Sequence, residues 1–73
     1  MNRWYDLLEP IQGFWVKNGA THIVHLPVGA SVQLARPCRY RNVAEVEHNG
    51  AIIIVFYDDL RRRSRVRKET KRG

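Results

Sequence analysis

A chain of 73 residues with 44% hydrophobic and 27% charged residues is one small domain, too apolar for general disorder and short enough to bury only about 60% of its unfolded-state surface. A lone cysteine, Cys38, excludes an internal disulfide, and the longest apolar run, residues 51–57, is far below the roughly 20 residues a membrane helix needs. The formal net charge of +6 is uneven: residues 1–57 set Arg3, Lys17, Arg36, Arg39 and Arg41 against Asp6, Glu9, Glu45 and Glu47, whereas residues 58–73 set eight bases against Asp58, Asp59 and Glu69.

Taken in chain order, the first expectation is a short amphipathic helix over residues 1–9. Its apolar positions are Met1, Trp4, Tyr5, Leu7 and Leu8, with Asn2 as cap, Asp6 near the positive end and Pro10 as the stop. Two turns do not persist alone, so Trp4, Tyr5 and Leu8 must pack on something. The first residues lack the apolar region of a secretory signal, so the expected setting is soluble and cytoplasmic.

The middle is organised by two Asn-Gly dipeptides, Asn18-Gly19 and Asn49-Gly50, which supply the two successive positive φ angles of a type I′ hairpin. Two-residue loops set the registers. Val16 faces Thr21, Trp15 faces His22 and Phe14 faces Ile23; in the second hairpin the pairs run from Glu47–Ile52 to Val43–Phe56. Alternation then places Ala44, Val46, Ile53 and Val55 on a core face. Val43, Glu45, Glu47, Ile52, Ile54 and Phe56 fall on the other face, where the large apolar residues need cover from the helix, from curling of the sheet or from a partner; left open, they would favour a dimer. A short strand is expected over residues 31–35 and a loop over residues 36–42.

Beyond residue 57 only Leu60 and Val66 are large and apolar, so residues 61–73 read as a disordered basic arm on a domain of residues 1–60. The expected class is α+β and β-dominated. A short N-terminal helix lies on a small curved antiparallel sheet or partly open barrel of two hairpins plus one strand.

Little in the chain points to catalysis or metal chemistry. His22 and His25, three apart on a strand, point to opposite faces and do not share an ion, and His48 and Cys38 add no recognisable ligand spacing. Cys38 lies between Arg36 and Arg39, which favour its thiolate, but no base is paired with it. Ser31 has no neighbouring carboxylate in sequence, and no glycine-rich phosphate loop is present. A non-enzyme with no cofactor and no metal is the expectation.

The arm, with Arg61, Arg62, Arg63, Arg65, Arg67, Lys68, Lys71 and Arg72, has the density of a polyanion-binding segment, and guanidinium groups suit bidentate contacts with phosphate or carboxylate. With exposed sheet aromatics it would form a non-specific platform for single-stranded DNA or RNA. That platform is the alternative to the main expectation, a protein-docking surface with Trp4, Tyr5 and Trp15 as aromatic anchors and Arg36, Arg39 and Arg41 as a cationic rim.

The 73-residue length, aromatic N-terminal segment, compact middle and arginine-rich end together resemble the small regulators of host RNA polymerase encoded by lytic phages, the Xanthomonas phage type in particular. The resemblance spans the whole chain as a layout, and no motif transfers binding residues. It implies a protein that binds a large subunit of bacterial RNA polymerase in the host cytoplasm and interferes with sigma-dependent initiation, with antitermination as an extension. Such a domain can grip a polymerase segment through an open strand edge, with side-chain pockets choosing the sequence.

Overall fold

The computed structural model describes residues 3–38 and 42–67. Seven strands and one helix follow in order: β1 (Trp4–Leu7), β2 (Ile11–Lys17), β3 (Ala20–Leu26), β4 (Ser31–Cys38), β5 (Val43–His48), β6 (Ala51–Phe56), α1 (Tyr57–Arg62) and β7 (Ser64–Val66). They form one antiparallel sheet in the order β3-β2-β6-β5-β4-β1-β7, so β3 and β7 are its free edges. No described helix is long and apolar enough to cross a membrane.

Both hairpins form in the expected registers, pair for pair. The turn angles are those that Asn and Gly tolerate: φ is 52° and 77° at Asn18 and Gly19, and 52° and 82° at Asn49 and Gly50. The expected core face is buried in full. Ala44, Val46, Ile53 and Val55 join Tyr5, Leu7, Ile11, Leu26, Val32 and Leu60 in a single cluster. Because that cluster draws on every strand from β1 to β6, the sheet curls around it, without closing.

Three expectations are corrected. Residues 4–7 form a strand, not part of a helix, and lie between β4 and β7 in the sheet. Their true period is two: Tyr5 and Leu7 point into the core while Trp4 and Asp6 point out. Apolar residues at 4, 5, 7 and 8 also satisfy a helical template, and pairing on both sides of the strand decides between them. The second correction is at the other end. Of the segment expected to be disordered, residues 61–67 are ordered by α1 and β7, while residues 68–73 lie outside the described residues. Leu60 docks the helix almost alone, at 0% exposure. From outside the helix, Asn42 accepts hydrogen bonds at its start, the Tyr57 N–H on the carbonyl and the Asp58 N–H on Oδ1. Third, β4 runs on past residue 35 to Cys38, with an irregularity between Leu34 and Arg36, so much of the expected loop is strand.

A close approach joins the two hairpins. Gly13 and Phe14 of β2 pair with Val55 and Ile54 of β6. A Cβ on Gly13 would stand 2.5 Å from Ile53 Cγ2 and 3.1 Å from the Ile54 carbonyl oxygen, so only glycine fits. Past Phe14, β2 continues with β3 alone, and the hairpin tip extends a molecule measuring 45 × 24 × 22 Å.

Candidate interaction surface

Antiparallel partners project to the same side of a sheet, so the register assigns the outer face directly. Phe14 shares that face with its partners Ile23 on β3 and Ile54 on β6. Val16 lies two residues along β2, and Ile52 and Phe56 flank Ile54 along β6. Val43, Glu45 and Glu47 oppose Phe56, Ile54 and Ile52 from β5. The face is apolar and open: Val16 is 54% exposed, Ile23 59%, Ile52 45% and Phe56 44%. Phe14 and Phe56 meet edge to face with centroids 6.0 Å apart, which holds the two rings as one raised apolar feature. On the β5 side the patch is bordered by two carboxylates. Glu45 has Arg36 at 4.0 Å, and among the described residues Glu47 has no ion-pair partner.

Farther round the sheet lies a polar cluster that ties down the C-terminal segment. The Arg67 guanidinium donates to Asp6 through Nη2 at 2.7 Å and Nε at 3.3 Å, and Nη2 also donates to Ser31 Oγ at 2.9 Å. Ser31 Oγ in turn donates to Asp6 Oδ1 at 2.7 Å. The same guanidinium stacks over the Trp4 ring at 5.3 Å, and the Arg67 N–H donates to the Trp4 carbonyl at 2.9 Å. Hydrogen bonds from Arg67 first, then from Ser31, hold the Asp6 carboxyl below its ordinary value of 3.8, and Asp6 reciprocally raises Arg67. Asp6, Arg65, Val66 and Arg67 line an open groove of about 630 Å³ here.

Three of the five described arginines of the basic segment, Arg61, Arg63 and Arg67, are therefore engaged within the fold. Arg63 pairs with Glu9 at 2.8 Å and Asp59 at 3.8 Å, and Arg61 pairs with Asp58 at 3.7 Å beneath a contact with the Tyr57 ring. Among the described residues of the expected arm, only Arg62 and Arg65 make no ion pair. Lys68, Lys71 and Arg72 lie outside the described residues.

The expected anchors do not form one site. Tyr5 is a core residue, 2% exposed, and cannot anchor a partner without unfolding β1. Trp4, half-buried, is covered by Arg67, while Trp15 stands on β2 against His22 and Lys17, with three strands between β2 and β1 in the sheet. Arg36 is exposed beside Glu45, and Arg39 and Arg41 lie outside the described residues. Reading the sequence identified the outer residues of the second hairpin but missed Phe14, Val16 and Ile23, which reach the same face through the β2–β6 pairing. The signal was Gly13, a residue without a side chain inside an apolar run.

His22 and His25 fall on opposite faces of β3, opposite Trp15 and Gln12 respectively. Ser31 has a carboxylate neighbour after all, but that carboxylate is committed to Arg67, and the nearby His48 ring meets the Ser31 carbonyl, at 3.5 Å, and not the hydroxyl. Among the described residues the arrangement offers an open apolar surface, and its side-chain hydrogen bonds pair no nucleophile with a base. No protein-family model matches this chain, and no curated protein or solved structure is similar to it.

Proposed function

We propose that this chain is a non-enzymatic transcription regulator of the phage-encoded kind, which docks on a large subunit of bacterial RNA polymerase in the host cytoplasm and interferes with sigma-dependent initiation. One observation supports docking above all: the open apolar face of Val16, Ile23, Ile52 and Phe56, which no part of the described fold covers. Contiguous exposed apolar surface of this kind marks interaction sites in small proteins. The layout of the chain supplies polymerase as the partner, and antitermination is an extension of the same reading.

The alternative, a single-stranded nucleic-acid binder, is less well supported. Three of the five described arginines it would use, Arg61, Arg63 and Arg67, are spent on Asp58, Glu9, Asp59 and Asp6, and Trp4 is capped by Arg67. The deciding experiment is capture of purified RNA polymerase by the immobilised chain at two salt concentrations, with Ile52→Asp in parallel. Polymerase retained at both salts and lost with Ile52→Asp is the expected result. No polymerase recovered by the intact chain overturns the proposal.

A further inference from the structure

The chemistry of the outer face restricts what can lie on it. Resting on the reading that this face is the docking surface, we propose that its occupant is a cationic amphipathic helix of the protein partner. β5 is paired on both sides, with β4 and β6, and β6 is paired with β5 along its whole length and with β2 at Gly13 and Phe14. Over that paired stretch the face presents side chains and no ladder. An occupant must arrive with its own backbone hydrogen bonds satisfied, as a helix does. A strand would instead join open backbone, at the edge of β3 or where β2 and β6 part beyond Phe14. The helix of the chain itself does not serve, because α1 spans six residues and its one apolar anchor, Leu60, is sunk in the core on the opposite side.

The dimensions suit a helix seam. Ile52, Ile54 and Phe56 alternate along β6 over about 14 Å, a length that some nine or ten helical residues cover at 1.5 Å each, with apolar side chains at every third or fourth position. Phe14 and Val16 widen the seam on one flank.

Charge selects the other flank. Glu47 stands directly across from Ile52 and Glu45 across from Ile54, so two carboxylates run parallel to the apolar row. Arg36 offsets one of them at 4.0 Å. On a chain of formal charge +6, this border keeps Glu47 without an ion-pair partner among the described residues, while the cations of β7 lie at the far edge of the sheet. Lysine or arginine beside the apolar seam of a helix would meet Glu45 and Glu47; an acidic helix, a nucleic acid or an anionic lipid surface would be repelled. A second copy packed face to face would place another carboxylate pair in the same layer, and its described residues bring no free basic helix.

The test uses the full chain and three synthetic peptides of about 14 residues: a leucine–lysine amphipathic helix, its leucine–glutamate counterpart, and a shuffled leucine–lysine control. Binding is read by titration calorimetry and by NMR shifts of the Ile52 and Ile54 methyls and the Phe56 ring. The leucine–lysine helix is expected to bind and to shift these signals. Affinity should fall about three- to ten-fold in Glu45→Gln/Glu47→Gln, a double variant of solvent-accessible carboxylates, as expected for losing two partly exposed ion pairs. Equal affinity for the leucine–glutamate peptide, or shifts centred on β3 or β7, would overturn the inference. Loss of polymerase capture in Ile52→Asp without any leucine–lysine binding overturns the helix alone and leaves the docking reading standing. Peptide binding on the face with polymerase capture untouched by Ile52→Asp overturns the docking reading and upholds the helix as the ligand of this face.

Discussion

Gly13 shows how much a single residue decides in a molecule this small. Its missing side chain lets β2 press against β6, with Ile53 Cγ2 only 2.5 Å from where a Cβ would sit. Gly13→Ala should therefore destabilise by about 1–3 kcal/mol, the usual cost of overpacking, measured by urea unfolding. A stability equal to wild type would show that the sheet yields at this crossing. Asp6 makes a different kind of prediction. Its carboxyl is held below 3.8 by Arg67 and Ser31, so the ionised form is the one the fold favours. The stability it adds is fully present above the unfolded value and is lost as pH falls through the lower folded value. The difference in melting temperature between wild type and Asp6→Asn should thus be constant from pH 7 to about pH 5 and shrink toward zero below 3.8. A difference that persists undiminished into strong acid would refute the pairing.

Among elements, the C-terminal helix and strand carry more of the fold than their composition suggests. Leu60 is fully buried, Ser64 Oγ donates to the Leu60 carbonyl, and β7 pairs with β1 through Val66, Arg65 and Ser64. Leu60→Ala should cost about 2–5 kcal/mol, within the range for emptying a buried leucine site, and thermal unfolding would record a drop of many degrees. A basic arm with no structural role would tolerate removal of residues 61–73 without such a drop. The arginines divide by what they touch. Arg63→Gln/Arg67→Gln should lower the melting temperature, because both side chains bridge to β1 or the turn after it. Arg62→Gln/Arg65→Gln should leave it unchanged while weakening any nucleic-acid affinity and flattening its salt dependence, since counterion release scales with phosphates neutralised. The reverse pattern would return the segment to the role of a free polyanion-binding arm.

At the scale of the whole molecule, the curled sheet separates two kinds of surface. One is apolar with an acidic border, spread over β2, β3, β5 and β6; the other is polar and arginine-rich, around β1, β4 and β7. This division turns a charge asymmetry of the chain into an asymmetry of faces, and it directs the proposed partner to the side away from most of the described positive charge. Ile52→Asp keeps a solvent-exposed position solvent-exposed, so an unchanged melting temperature with loss of polymerase capture is the expected combination.

What the sequence determined by itself was local. The two Asn-Gly turns and the alternation around them specified both hairpin registers, the buried row Ala44, Val46, Ile53 and Val55, and half of the outer face, because a two-residue turn and a period of two involve only near neighbours. Tertiary structure decided the rest. Whether residues 4–7 became helix or strand depended on Val32 and Val66 lying beside Tyr5, and the basic segment was ordered by Asp6, sixty-one residues away from Arg67. Likewise Phe14 joined the outer face only where β2 met β6, far along the chain. Contacts across such separations leave no period in the sequence, so an apolar stretch compatible with two patterns, and a run of charges compatible with solvent or with partners, were settled only when the sheet brought their partners to them.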